Sequence, residues 1–174
     1  MKKRLTLFII VIILIMSTSG CKKEYDFRET NWGMSKEKVI ASESSKVSYE
    51  DMSTVVYKVE YLGIDFDLMY EFEAKKLYKA TYVLSRDARP DQWIRDYNYM
   101  KEMFVEEYGS PAMEILTLNG VVTTHVEDLQ LSDLIMGKVC LFSTWAVEDK
   151  FLAVELMAAD GKIILTEQHY KLPK

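Results

Sequence analysis

Cysteine is nearly absent from this chain: its 174 residues hold two, Cys21 and Cys140. Two cysteines cannot build the disulfide framework that holds many small secreted domains together. Histidine is as scarce, with only His125 and His169, whereas a zinc site takes three or four His, Cys or carboxylate ligands. Seven glycines and three prolines leave little material for a phosphate-cradling loop or a flexible stalk. The sequence has no G-x-S-x-G, P-loop, G-x-G-x-x-G, C-x-x-C or H-E-x-x-H pattern, so the common nucleophile, nucleotide, redox and zinc-protease signatures are missing. Its one long apolar run, Leu5 to Met16, is interrupted only by Thr6 and is shorter than the roughly 20 residues that a membrane-spanning helix needs.

What is present begins with that run. Lys2, Lys3 and Arg4 precede it, and Ser17-Thr18-Ser19-Gly20 follows it, which is the three-part pattern of a secretory signal. Cys21 stands next, where a plain signal would leave an arbitrary residue. Thr18-Ser19-Gly20-Cys21 resembles a bacterial lipobox, although Thr18 stands where Leu is usual. The resemblance implies that residues 1–20 are removed and that Cys21 carries a thioether-linked diacylglyceryl group. At about 0.8 kcal/mol per buried methylene, two or more acyl chains hold a protein firmly to a bilayer.

Without residues 1–20, Lys plus Arg falls from 22 to 19 against 27 Asp plus Glu, a net charge of −8. Phosphates must be neutralised by basic side chains, so no nucleic-acid partner is expected. Lys22 and Lys23 sit beside the anchor, where they can meet lipid headgroups. Cys140 is left without an intramolecular thiol. It lies in the apolar stretch Val139-Cys140-Leu141-Phe142, which favours a buried, inert thiol.

With 49% hydrophobic and 28% charged residues, the rest has an ordinary globular balance. It divides into a lipidated Cys and tether over 21–31 and a single domain over 32–174. Trp32-Gly33-Met34 leads into a helix with Ser35 as N-cap and Glu37 in the first turn; Met34, Val39 and Ile40 face the core. The helix fades near Ser44-Ser45, and residues 45–52 read as a loop. Val55, Tyr57, Val59 and Tyr61, then Ile64, Phe66, Leu68, Tyr70 and Phe72, alternate with polar residues, the period of half-buried strands. A turn at Leu62-Gly63 pairs Val59 with Phe66, Tyr57 with Leu68 and Val55 with Tyr70. A three-residue turn, Glu73-Ala74-Lys75, is expected to set Tyr78, Ala80, Tyr82 and Leu84 against Tyr70, Leu68, Phe66 and Ile64.

A second helix starts at Asp91, read as its N-cap. Its stripe of Trp93, Tyr97, Met100, Phe104 and Tyr108 is broad enough to cover a sheet face, and Gly109-Ser110-Pro111 ends it. Asn119-Gly120 marks a hairpin between 114–118 and 121–126. Residues 127–138 are ambiguous, with a helical turn at Ser132–Met136 as one option. Strands over 139–147, 151–158 and 163–170 form a last meander with turns at Glu148-Asp149 and Asp160-Gly161. The order α-βββ-α-ββ-βββ predicts an α+β fold, two helices on antiparallel meander sheet, with a loose αβββ duplication.

Asp26-Phe27-Arg28, Thr30, Trp32-Gly33-Met34-Ser35 and Val39 resemble the opening of uncharacterised extracytoplasmic lipoproteins of Gram-positive bacteria. Tyr108-Gly109-Ser110-Pro111 fits the same group. Over fewer than ten residues, Gly33-Met34-Ser35 and Val39 also resemble the helix entry of BamE-like outer-membrane assembly lipoproteins and of β-lactamase-inhibitor-like modules. Those modules run two short helices before their strands, and this chain does not. Both resemblances imply a non-enzymatic, membrane-proximal fold.

Candidate chemistry is sparse. His125, Glu127 and Asp128 cluster in sequence, but the hairpin register sets His125 against Glu114 as a cross-strand pair. His169 falls near Leu152, as a structural histidine. Asp65, Asp67 and Glu71 share an outward strand face, where Lys58 meets Asp67 and Glu60 faces Asp65 as a like-charge pair. On the last meander's other face Phe142, Phe151, Met157, Ile164 and Tyr170 gather, either covered by another segment or open to a partner. The expectation is a lipid-anchored binding module on the outer side of the bacterial cell membrane. It carries no catalytic, cofactor or metal residues, and it meets the membrane through its anchor and a protein of the cell envelope. The rival readings are an envelope hydrolase with an unrecognised metal site and an inhibitor or immunity-type protein.

Overall fold

Strands β2 (Thr54–Tyr61) and β3 (Ile64–Glu73) pair antiparallel with Val59 opposite Phe66, Tyr57 opposite Leu68 and Val55 opposite Tyr70. This is the register that period-2 alternation requires, since a one-residue slip would turn every apolar side chain to the other face. The computed structural model describes residues 25–84, 90–123, 131–159 and 162–171. The lipobox-like residues 18–21 lie outside them, as do His125, Glu127 and Asp128.

Ahead of this hairpin, Ser35 takes the extended N-cap conformation and helix α1 (Lys36–Ser42) follows, with Val39 fully buried. Residues 45–52 are not all loop: β1 (Val47–Glu50) pairs with the free edge of β2. Three of its four residues are exposed. The strand is held by its ladder and not by an alternating apolar face, so periodicity gives no sign of it.

The junction to β4 (Lys76–Leu84) also departs from expectation. Ala74 and Lys75 both take positive φ, 48° and 65°, in a two-residue turn that sets Glu73 opposite Lys76. Tyr78 is then the extra residue of a bulge between the Phe72–Leu77 and Glu71–Lys79 pairs. The tighter turn and the bulge each move the register by one: Ala80 faces Tyr70, and Tyr82 faces Leu68. Leu77, 1% exposed, fills the core position expected of Tyr78. A two-residue turn matches the twist of its flanking strands, and one inserted residue restores the inward alternation.

Helix α2 (Pro90–Tyr108) begins at Pro90, so Asp91 lies inside the first turn and is not the N-cap. Proline suits this first helical position because its missing N–H has no partner to lose there. Trp93, Tyr97, Met100 and Phe104 are all buried. Gly109, at φ 82°, ends the helix by donating its N–H to the Val105 carbonyl, a left-handed stop that suits a residue without Cβ. β5 (Met113–Leu118) and β6 (Val121–Thr123) form the hairpin around Asn119-Gly120, both at positive φ. In the described part of the ambiguous stretch, a short helix α3 (Leu131–Ile135) forms, and residues 127–130 lie outside the described residues. β7 (Val139–Val147), β8 (Lys150–Ala159) and β9 (Lys162–Lys171) follow.

The nine strands among the described residues belong to one antiparallel sheet ordered β1-β2-β3-β4-β9-β8-β7-β5-β6. β9 closes the second meander against β4, with Tyr82 opposite Glu167 and Leu84 opposite Leu165. The sheet with the three described helices is an α+β arrangement. Val39 of α1, the α2 stripe and Leu134 of α3 join the inward residues of the sheet in one core, which spans both meanders. The helices therefore share one face. Among the described residues no helix is long and apolar enough to cross a membrane.

Candidate functional site

The segment expected to be a tether is packed from Asp26 onward. Phe27 and Thr30 close a tight turn, with the Thr30 N–H and Oγ1 both donating to the Phe27 carbonyl at 2.8 and 2.7 Å. Asp26 Oδ2 accepts the Trp32 N–H at 2.9 Å, and Asn31 Oδ1 accepts the Asp26 N–H at 3.1 Å. Gly33 donates to the Leu77 carbonyl, and the Leu77 N–H donates back to Met34, each at 2.8 Å, which sews the segment to the start of β4. Phe27 is 7% exposed and meets Tyr70, Tyr82 and His169 at ring-centroid distances of 5.8, 5.6 and 4.7 Å. Such aromatic pairs each add about 0.5–1.5 kcal/mol beyond burial. Residues 26–34 thus form a plug.

A latch holds the plug. Arg28, at φ 48°, donates from Nε and Nη2 to the two Glu43 oxygens at 3.0 and 3.1 Å, and from Nη1 to Tyr82 Oη at 3.2 Å. Tyr70 Oη donates to the same carboxylate. The Glu43 side chain is 3% exposed and that of Arg28 is 31% exposed. Burial works against the Arg28 charge, but Glu43 and Tyr82 outweigh it and raise its pKa. Burial, then the Glu43 carboxylate, raises the Tyr70 phenol. A two-point guanidinium–carboxylate contact fixes direction as well as distance.

Beneath the plug a second polar group lies on the helix-covered sheet face. Glu167 Oε1 accepts from Tyr61 Oη at 3.3 Å and bonds His169 Nε2 at 2.9 Å. Tyr61 stacks on Tyr82 at 4.2 Å, which joins this group to the latch. The Glu167 and His169 side chains are only 4% and 13% exposed. A buried acid without such donors would cost several kcal/mol. His169 is the structural histidine expected, opposite Leu152. Phe27 packs against the His169 ring and covers the pair. Glu167 sits between Leu165 and His169 at an inward position, so strand parity alone marks it as a buried acid.

The opposite sheet face is mixed. Phe142, Phe151, Met157, Ile164 and Tyr170 are half-buried there, interleaved with polar residues. Glu155 Oε2 accepts from Gln168 Nε2 at 3.0 Å, and Gln168 Oε1 accepts from Tyr170 Oη. Lys79 pairs with Glu71 at 3.0 Å and lies 4.9 Å from the Tyr170 ring centre. Cys140 is half-buried on the same face, with Sγ 3.7 Å from Glu155 Oε1. Burial, then Glu155, pushes its thiol up to about 11, the inert condition expected. No described helix lies on this face.

Lys58 and Asp67 form the expected pair at 2.9 Å, and Glu60 faces Asp65. Lys58, Asp65 and Asp67, with Ile64, Phe66 and Val83, line an open surface cavity of about 580 Å³. Among the described residues no three His, Cys, Asp or Glu side chains are grouped to hold a metal ion. Glu114, expected opposite His125, bonds Lys101 at 2.8 Å and Ser143 at 3.3 Å. No family model, curated protein or solved structure matches this chain.

Proposed function

We propose that this protein is a lipid-anchored, extracytoplasmic binding module of the bacterial cell envelope, acylated on Cys21 and non-catalytic. The observation that carries the reading is the border itself: a basic cap, a twelve-residue apolar run and small residues lead to a cysteine at the one position where lipidation chemistry requires it. The acidic mature chain and the covered Glu167–His169 pair support a surface that binds over a cleft that reacts. The mixed sheet face opposite the helices is the surface assigned to an envelope protein, since its half-buried aromatics carry polar groups between them. The meanders β2–β4 and β7–β9 meet through β4 and β9, an arrangement that supports reading the two halves as a loose repeat.

Replacing Cys21 by Ser tests the anchor. The wild type is expected to partition into the detergent phase and the variant into the aqueous phase. A variant that stays in the detergent phase would show that an uncut helix, and not an acyl group, holds the protein.

A further inference from the structure

We infer that the end of the sheet carrying the β3–β4 and β7–β8 turns is the surface this protein lays against the bilayer. The inference rests on acylation of Cys21 and adds an orientation to it. The plug is fixed at both of its ends to that part of the molecule. Gly33 and Met34 bond Leu77, two residues past the β3–β4 turn. Asp26 Oδ1 lies 3.9 Å from Lys150 Nζ, the first residue after the β7–β8 turn.

Chain length then sets the distance. Five residue steps separate Cys21 from Asp26, where the plug begins, a span of at most about 18 Å. An acylated cysteine sits at the boundary of the hydrocarbon, and the headgroup layer takes up roughly 5–8 Å of that span. Less than about 13 Å remains between the headgroup surface and the plug. The opposite ends of ten-residue strands such as β3 and β8 lie roughly 30 Å further along.

Charge does not separate the two ends: Glu50 and Asp51 lie at the β1–β2 turn of the near end, and Lys138 and Lys162 stand at the starts of β7 and β9 at the far end, so the orientation rests on the attachment of the plug and the length of the tether. The partner-binding sheet face is then held upright, beside the membrane and not beneath the protein.

The test uses the acylated full-length protein in phosphatidylcholine–phosphatidylglycerol vesicles carrying a headgroup nitroxide lipid. A fluorophore is attached at Asp149→Cys or Asp65→Cys, both exposed positions, in a Cys140→Ser background. A several-fold greater quenching at 149 than at 65 is expected. A flexible insert of about twelve Gly and Ser residues between Lys23 and Glu24 adds roughly 20 Å of reach and should abolish the difference. Equal quenching, a reversed order, or a difference that survives the insert would each overturn the orientation. If Cys140→Ser fails to fold, hydrogen exchange of the unmutated lipoprotein replaces the labels: slower exchange at Glu148-Asp149 on vesicles than in detergent, with Leu62-Gly63 unchanged, is the expected result, and the reverse or no change overturns it. Mass spectrometry of Cys21 separates the two failures, because an unmodified thiol overturns the anchoring itself.

Discussion

Replacing Arg28 by Ala leaves the Glu43 carboxylate, 3% exposed, with Tyr70 Oη as its remaining donor in the latch. Removing one partner of a buried pair costs about 3–5 kcal/mol, and an exposed pair is worth about 0–1. Arg28 is 31% exposed, so the expected cost lies between these limits, at about 3 kcal/mol. Glu43→Ala behaves differently. It frees an arginine that can turn to water, but strands the Tyr70 hydroxyl in a buried site, for about 1–3 kcal/mol. The double variant loses both charges together and should cost no more than Arg28→Ala alone, a coupling of about 2 kcal/mol. Equilibrium urea unfolding of the four proteins measures the cycle. At roughly 2–4 °C per kcal/mol for a chain of this size, Arg28→Ala should melt about 6–12 °C early. Single costs below about 1 kcal/mol that simply add would refute the latch and leave an ordinary surface ion pair.

Trp93 is 1% exposed, and Trp93→Ala should destabilise by about 3–5 kcal/mol in the same melts; a neutral result would mean that the α2 stripe does not face the sheet. Alkaline pH should also destabilise the fold, since burial pushes Tyr57 and Tyr97 up to about 12 and raises Tyr61, Tyr70 and Tyr82. Unfolded tyrosines release their protons near pH 10 while the folded ones keep theirs, so the folded state binds more protons and stability falls as pH rises above about 10. A urea midpoint that does not move between pH 9 and 11 would contradict this. Cys140, pushed up to about 11 from the ordinary 9.0, should react with a disulfide reagent at pH 8 on the order of 100-fold more slowly than in the unfolded chain; equal rates would place the thiol in open solvent.

Much of the secondary structure is legible in local pattern. Val55 to Phe72 announces two strands because burial on one face imposes a period of two. Asn119-Gly120 announces a turn because both positions need positive φ. The five-residue stripe of α2 announces a covered sheet. β1 is not legible, since backbone pairing holds it and three of its residues are exposed. The Tyr78 bulge is not legible either, because the turn before it and the core after it compete over one residue. Arg28 and Glu43 are 15 residues apart and appear in sequence as two more surface charges.

What depends on neighbours along the chain can be read from the residues alone: the basic cap and apolar run that stop before Cys21, the alternating strands, the helix stripe and the acidic balance. Tertiary structure decided what depends on distant segments meeting. It alone set β9 against β4, brought Glu167 and His169 under Phe27, and turned residues 26–34 from a spacer into a plug. The physical reason is that local pattern reports which face of an element seeks burial, whereas the choice of partner for that face is made by the packing of the whole core.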